Sequence, residues 1–72
     1  MEAKSKTLSG TVESVIFYNQ ENSYTVLNFV LDNDKTSIIA VGEIPNIHEG
    51  LHLRISGNWT KHKKYGKQFT IE

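Results

Sequence analysis

The chain has 72 residues, of which 38% are hydrophobic and 22% charged, and its eight basic and eight acidic side chains give a net charge of zero. This length and composition are typical of one small folded domain, and they exclude both a disordered chain and a complete multi-substrate enzyme. The absence of cysteine excludes disulfides and a thiolate zinc site, and apolar runs of at most four residues exclude a membrane-spanning helix, which needs about 20.

The charge is distributed unevenly along the chain. Residues 1–50 carry three lysines against seven acids, a net charge of −4, whereas residues 51–72 carry five cations against one acid, a net charge of +4. Four of those cations lie within the seven residues from Lys61 to Lys67. Such a cluster attracts anions, of which nucleic acid is the commonest, although a solvated hairpin tip is the alternative interpretation.

The first predicted strand is bent. Its apolar side chains alternate from Leu8 to Val12 and then continue at Val15 and Phe17 on the opposite parity. One extra residue in a strand moves all the following side chains to the other face of the sheet. The pattern therefore predicts a β-bulge near Glu13 and Ser14, with Val15 and Phe17 brought back to the face that carries Leu8.

The second predicted strand is Tyr24–Leu31, which is rich in β-branched and aromatic residues. Its alternation predicts that four side chains point inward, namely Thr25, Leu27, Phe29 and Leu31. The other four then form a row on the surface, namely Tyr24, Val26, Asn28 and Val30. The following segment, Asp32–Lys35, has the composition of a tight turn, because Asn and Asp tolerate positive φ angles.

Three further strands are predicted, at Thr36–Val41, Leu51–Trp59 and Gln68–Glu72. The fourth strand shows the strictest alternation, and its parity places Trp59 in the core. Between the third and fourth strands, Glu43–Gly50 has room for one helical turn at most. Between the fourth and fifth strands, we expect the basic segment Thr60–Lys67 to form a loop.

Five short strands, the first of them bent, predict an all-β domain that closes into a small barrel. Closure removes the exposed strand edges that a single sheet of this size would leave. A five-stranded Greek-key barrel of the oligonucleotide/oligosaccharide-binding (OB) type fits best, and an SH3-like barrel is the alternative. We expect residues 8–72 to form this single domain and residues 1–7 to form a flexible N-terminal arm.

Several segments resemble, in their order and spacing, the N-terminal domain of RecD-like (RecD/TraA-type) ATP-dependent DNA helicases. The similar segments are Leu8–Asn19, Glu21–Leu27, the Val-Gly-x-Leu-Pro turn at Val41–Pro45 and the Gly-x-Trp…His-x-Lys-Tyr-Gly-x-Gln-Phe signature at Gly57–Phe69. Ser23 stands where that family usually has glycine. The resemblance extends over residues 8–72 and implies that the chain is a fragment of a longer helicase.

The resemblance also implies what the parent does. It would be a bacterial, cytoplasmic helicase that unwinds DNA in the 5′-to-3′ direction during repair and recombination. ATP and magnesium are implied for its motor domains, and no cofactor for this fragment. A phosphate-binding loop needs Gly-x-x-x-x-Gly-Lys-Ser/Thr. The chain has one Gly-Lys pair, Gly66-Lys67, with Lys61 and Gln68 at the positions of the first glycine and the hydroxyl residue, so we expect a non-catalytic fragment.

The predicted nucleic-acid-binding residues lie mainly in the two loops that flank the binding face of an OB fold, here Tyr18–Ser23 and Thr60–Lys67. Aromatic rings there stack on bases, at about 1–3 kcal/mol each, and we assign this role to Tyr18, Tyr24 and Tyr65. Lysines neutralise phosphates, and those expected to do so are Lys61, Lys63, Lys64 and Lys67. Asn28, a polar residue on the surface row of the second predicted strand, is also assigned to the nucleic-acid-binding residues. For Tyr65, packing in a hairpin turn is an equal alternative.

The surface row of the second strand contains no lysine, which favours a second hypothesis. In it the domain is a protein-interaction module that docks on the helicase motor or on a partner protein. The expected partners are thus single-stranded DNA and the remaining domains of the helicase, with no membrane contact and a monomeric fragment. Three histidines without cysteine or patterned carboxylates predict no metal site. The first residues lack an apolar signal segment, which predicts a cytoplasmic location.

Overall fold

The computed structural model describes residues 5–64 and 66–72, which form five β-strands. In chain order these are β1 (Lys6–Asn19), β2 (Tyr24–Leu31), β3 (Ser37–Glu43), β4 (His52–His62) and β5 (Gly66–Ile71). The described residues contain no helix that is long and apolar enough to cross a membrane. The predicted all-β class is confirmed, and the second strand has the bounds predicted for it.

The strands form a closed barrel in the order β1-β2-β3-β5-β4. Neighbouring strands are antiparallel, except that β3 and β5 run parallel and share only the pairs Ala40↔Phe69 and Val41↔Thr70. β1 closes the ring because its first part pairs with β4 and its second part with β2. This five-stranded ring is the architecture expected of the OB type, so that prediction is confirmed.

Every strand contributes to one hydrophobic core inside the ring. The buried residues of this core are Val12, Leu27, Phe29, Ala40, Ile55 and Phe69. Trp59 is half-buried and packs edge-on against Phe69, with ring centroids 5.2 Å apart and an interplanar angle of 76°. Its predicted inward parity is therefore confirmed, although it lies at the margin of the core, where one side of the indole stays accessible.

The register of β1 against β2 shifts twice. The first shift lies between Val12 and Ser14, where the predicted bulge at Glu13 is confirmed. A second shift, which was not predicted, lies between Val15 and Phe17. Each shift exchanges the two faces of the strand, so Val15 points into the core opposite Leu27 while Phe17 turns outward and is 51% exposed. The prediction that Phe17 returns inward was wrong for this reason.

The barrel begins earlier in the chain than predicted. Lys6 and Thr7 pair with Gly57 and Ser56 of β4, so these two residues belong to β1 and not to an arm. The hydrogen bonds between strands are formed by the backbone and need no apolar side chains. The strand can therefore extend beyond its alternating apolar residues. Residues 1–4 of the predicted arm lie outside the described residues.

The basic segment is mostly strand and only partly loop, which corrects the prediction for Thr60–Lys67. β4 continues to His62 and β5 starts at Gly66, with Lys61 directly opposite Lys67. The connection is reduced to residues 63–65, of which Tyr65 lies outside the described residues. The antiparallel ladder again continues past its last apolar pair, because its hydrogen bonds are formed by the backbone.

The loop between β1 and β2 is held by side chains that bond to nearby backbone groups. Asn19 Oδ1 accepts a hydrogen bond from the Glu21 amide, and Asn22 Oδ1 accepts one from the Tyr24 amide, both at 2.9 Å. Between them Ser23 adopts a φ of +62°, in the left-handed region that favours glycine. The serine that replaces the glycine of the similar helicase domains therefore sits in a strained backbone conformation.

Ser23→Gly is expected to raise the free energy of unfolding by about 0.5–1 kcal/mol, because glycine adopts this conformation without a Cβ penalty. The backbone carbonyl of Ser23, which accepts hydrogen bonds from Thr25 Oγ1 and the Ile44 amide, is retained. Urea unfolding followed by tryptophan fluorescence measures the change. Gln20→Gly in the same loop is the matched control and should lower stability slightly. A Ser23→Gly protein less stable than the parent would contradict this account.

Gly10 lies where the two ladders of β1 meet. It pairs with Leu31 of β2 and with Leu53 of β4, so both neighbouring strands approach it closely. A Cβ at this position would overlap the carbonyl oxygen of Val30 and lie 2.8 Å from Phe29 Cε2. Both neighbours belong to the packed interior or to the backbone, so neither can move away cheaply.

Gly10→Ala is therefore expected to lower the free energy of unfolding by about 2–3 kcal/mol, as overpacking does in a dense core. The same urea unfolding assay measures it. Ser9→Ala, at the preceding half-buried position, is the control and should change stability by less than about 1 kcal/mol. Equal stability of the Gly10→Ala and Ser9→Ala proteins would show that the barrel still closes when β1 and β2 lie farther apart at this point.

Candidate nucleic-acid interface

The outer face of β1, β2 and β3 carries three cross-strand rows. Directly paired residues point to the same side of a sheet, so the registers define each row. The rows are Ser14–Asn28–Ile39, Phe17–Val26–Val41 and Asn19–Tyr24–Glu43. The predicted surface row of β2 runs across them. Tyr24 is exposed and Asn28 and Val30 are half-buried as expected, but Val26 is only 8% exposed and is not available as an open surface.

A groove opens where β3 and β5 separate, and we call it the seam groove. It has a volume of about 590 Å³. Its walls come from the β2–β3 hairpin and from the start of the β4–β5 hairpin, and its lining residues are Asn28, Leu31, Asp34, Thr36, Ser37, Ile38, Ile39, Trp59 and Lys67. Since β3 pairs with β5 only at Ala40 and Val41, the backbone of residues 37–39 has no paired strand on its groove side.

Lys67 and Trp59 form one wall of the seam groove. The ammonium of Lys67 lies 4.7 Å from the centroid of the Trp59 ring, a cation–π contact. Lys67 itself remains exposed, so this contact orients its charge without removing it from water. Across the groove, Asn28 donates a hydrogen bond from Nδ2 to Ser14 Oγ at 2.9 Å. The groove thus combines an oriented cation, an indole ring and a positioned side-chain amide.

The opposite wall carries a negative charge at Asp34. The side chain and backbone of Thr36 donate hydrogen bonds to this carboxylate and hold its pKa below the usual 3.8. The Thr36 amide lies 3.0 Å from Asp34 Oδ1. Asp34 is therefore ionised at neutral pH and repels anions from the β2–β3 turn, which leaves the Lys67 side as the anion-attracting wall.

The basic hairpin, defined as residues 60–67, concentrates positive charge at the end of the seam groove. Lys61, Lys63, Lys64 and Lys67 are all exposed. Lys61 and Lys67 are directly opposed in the ladder, and no carboxylate in the described part of the chain forms an ion pair with either. Like charges in direct opposition destabilise a sheet, so this arrangement favours a bound anion.

The aromatic residues predicted to stack on bases do not join the lysines. Tyr18 pairs with Thr25 and Tyr24 with Asn19, which places the two tyrosines on opposite faces of the β1–β2 ribbon. Both lie near the end of β3 that carries Glu43, whereas Lys67 borders its beginning. Tyr18 is in β1 and not in the loop, and Tyr65 lies outside the described residues.

Sequence reasoning missed Phe17 and the surface around it. The four exposed large hydrophobic residues of the described chain all lie near the β1–β2 hairpin, namely Ile16, Phe17, Tyr18 and Tyr24. The second bulge, which exposes Phe17, falls in a run of apolar residues and leaves no break in their pattern. Only the overly long apolar run Val15–Tyr18 hinted that one of these side chains had to face water.

A second groove, of about 480 Å³, lies beside Tyr24, and we call it the acidic groove. Its lining residues are Tyr24, Val41, Gly42, Glu43, Gln68, Thr70, Ile71 and Glu72. Two of these residues are acids, and none that the structure describes there is basic. The two grooves therefore differ in charge: the seam groove has Lys67 and Asp34 on its walls and adjoins the basic hairpin, whereas the charged residues described in the lining of the acidic groove are both carboxylates.

No three His, Cys, Asp or Glu side chains are grouped as metal ligands within residues 5–64 and 66–72. His52 Nε2 instead lies 2.7 Å from Asp32 Oδ2 and links β4 to the β2–β3 turn. Both side chains are exposed, so this link contributes little to stability.

Comparison with known proteins agrees with the fold and with the helicase resemblance. The sequence profile of the family described as "ATP-dependent DNA helicase YrrC, OB-fold domain" matches residues 5–72. Searches of curated proteins and of solved structures found no match. The matched range starts just before β1 and includes the complete barrel, so the chain belongs to the family of OB-fold domains of the ATP-dependent DNA helicase YrrC.

Proposed function

We propose that this domain provides single-stranded DNA contact for its parent helicase through the basic hairpin and the adjoining seam groove. The observation that carries the proposal is the opposition of Lys61 and Lys67 without a described carboxylate partner, next to a groove that contains Trp59. A phosphate between these two lysines would relieve their repulsion. The release of counterions from DNA would add to the affinity and make it depend on salt.

The DNA contact is assigned to the end of the barrel that carries the basic hairpin. Lys61, Lys63, Lys64 and Lys67 act on phosphates, and Asn28 offers its amide oxygen to a base edge in the seam groove. Tyr18 and Tyr24 are left out of this contact, because Tyr24 pairs beside Glu43 and Tyr18 points to the other side of the ribbon. The available surface suits a short site, near the lower limit of about four nucleotides for an OB fold. A stacking role for Tyr65 stays a prediction.

For the parent chain we propose a RecD-like helicase with 5′-to-3′ polarity that acts in bacterial DNA repair and recombination in the cytoplasm. The support is the set of motifs shared with that family, together with membership in a DNA-helicase domain family. ATP and magnesium are assigned to the motor part of the parent. The present domain has the role of a non-catalytic module, since its only Gly-Lys pair lacks the other residues of a P-loop.

Reversal of charge in the basic hairpin tests the DNA contact. Lys61→Glu combined with Lys63→Glu is expected to weaken binding of a fluorescein-labelled oligo(dT) by at least about tenfold at low salt. The slope of log affinity against log salt should fall by about 0.7 for each phosphate that the variant no longer neutralises. Fluorescence anisotropy at several salt concentrations measures both quantities.

The matched control for this charge reversal is Arg54→Glu. Arg54 is an exposed cation on β4, about 23 Å along the strand from Lys61 at the usual rise per residue. This reversal lies outside the proposed interface and changes the net charge by −2, half the change made by the double hairpin variant, and it should leave the affinity within about twofold. A loss of binding by Arg54→Glu as large as that of the hairpin variant would show that position does not matter, and the proposed interface would then be rejected.

A second function is favoured by the exposed hydrophobic side chains near the β1–β2 hairpin. Their clustering at one end is typical of a protein-interaction surface and has no use in phosphate binding. We propose that this end docks on the remaining domains of the helicase. Its most exposed member is Phe17, which lies in the same cross-strand row as the buried Val26.

Phe17→Ser is expected to weaken association of the domain with the rest of the helicase by at least about tenfold, because it removes the largest exposed apolar side chain of this surface. Isothermal titration of the separately produced helicase remainder measures the association. Ile39→Ser, on the same outer face but beside the seam groove, is the control and should have little effect. Unchanged association of the Phe17→Ser protein would rule out docking through this end.

A further inference from the structure

We infer that the acidic groove binds a basic segment of polypeptide in an extended conformation. The inference rests on the docking function proposed above and names the chemistry of the partner. It depends on three features of the groove: an unpaired side-chain amide, two carboxylates with no cation among the described lining residues, and an apolar and aromatic surface.

The unpaired amide is that of Gln68. This residue is only 8% exposed, yet its side chain makes no hydrogen bond with any described residue. Every fully buried side-chain polar atom in the described chain has a hydrogen-bond partner. Because the amide of Gln68 has none, its polar atoms are accessible to solvent. Gln68 shares the outer face with Thr70, so its amide meets the acidic groove. An amide offers one acceptor and two donors, which match the N–H and C=O of an extended peptide.

The two carboxylates select a positively charged partner. Glu43 and Glu72 line the groove, and within residues 5–64 and 66–72 no Lys, Arg or His belongs to its lining. The hydroxyl of Ser5 donates a hydrogen bond to the Glu72 carboxylate and holds it at the rim. A nucleic-acid phosphate would be repelled here, whereas a guanidinium or ammonium group would be attracted.

The rest of the surface suits the side chains of such a segment. The ring of Tyr24, which is 38% exposed, pairs beside Glu43 and offers a face on which a guanidinium group can stack. Val41 and Ile71 supply apolar lining, and the missing side chain of Gly42 lets Ile71 pack closely against β3, since a Cβ at Gly42 would lie 2.7 Å from Ile71 Cβ. A partner segment that alternates basic and apolar residues would use both kinds of contact.

The probe for this site is an acetylated and amidated five-residue peptide with two arginines that flank one leucine. We expect its titration into the ¹⁵N-labelled domain to shift the amide signals of Tyr24, Glu43 and Gln68–Glu72 and to leave those of the basic hairpin unchanged. The same peptide with citrulline in place of arginine keeps the shape and loses the charge. It should bind at least about fivefold more weakly.

Variants of the lining residues make the test specific. Glu43→Gln should weaken binding of the arginine peptide about threefold, and the double variant Glu43→Gln with Glu72→Gln about tenfold, since exposed ion pairs are individually weak. Gln68→Met keeps the length of the side chain and removes its hydrogen-bonding groups, and it should weaken both peptides. Glu21→Gln changes an exposed acid outside the lining and is the control, with no expected effect.

Several outcomes would overturn the inference. They are peptide shifts that appear elsewhere on the barrel, equal binding of the citrulline peptide, or displacement of the arginine peptide by oligo(dT). Concentration-dependent shifts of the groove signals without peptide would show that a second copy of the chain fills it. If Phe17→Ser abolishes docking on the helicase remainder while the peptide fails to bind, the docking function stands and the acidic groove is rejected as its site.

Discussion

The barrel depends on one strand that pairs with two partners at the same point. Gly10 is opposite Leu31 of β2 and opposite Leu53 of β4, so β1 has to turn from one ladder into the other there. This is possible because no Cβ separates Gly10 from the backbone of Val30 and the ring of Phe29. The two register shifts that follow bend the rest of β1 around the core. Closure of a sheet as small as this one protects the backbone hydrogen-bonding groups of its edge strands.

The ladder between β3 and β5 is the shortest in the barrel, and both grooves are lined by residues of these two strands. Two parallel residue pairs join them. The seam groove uses the first residues of β3, and the acidic groove uses its last residues together with the end of β5. The first groove is lined by Lys67 and Asp34 and adjoins the basic hairpin, whereas the charged residues described in the lining of the second are both carboxylates, so a cation is available at one end of β3 and carboxylates alone at the other. This separation is what allows a DNA contact and a polypeptide contact to be proposed for so small a barrel.

The sequence predicted the strands better than it predicted their faces. Alternation located β2 with its exact bounds and the first bulge of β1, because a change of parity is visible where polar residues interrupt the pattern. The second bulge lies among apolar residues, so no change of polarity marks it, and Phe17 was placed on the wrong face. Likewise, the lysines of the basic hairpin suggested a loop, although their backbone continues the ladder between β4 and β5.

By itself the sequence determined an all-β domain, the concentration of positive charge near its C-terminal end and a resemblance to the OB-fold domains of DNA helicases, because these follow from local alternation, composition and motif spacing. Only the tertiary structure decided which residues share a surface. It separated Tyr18 from Tyr24, placed Lys67 over Trp59 and left the amide of Gln68 facing a groove lined by Glu43 and Glu72. These outcomes depend on strand register and on closure of the barrel, which bring together residues far apart in the chain. A shift of one residue in the register would move each side chain of the strand to the other face of the sheet.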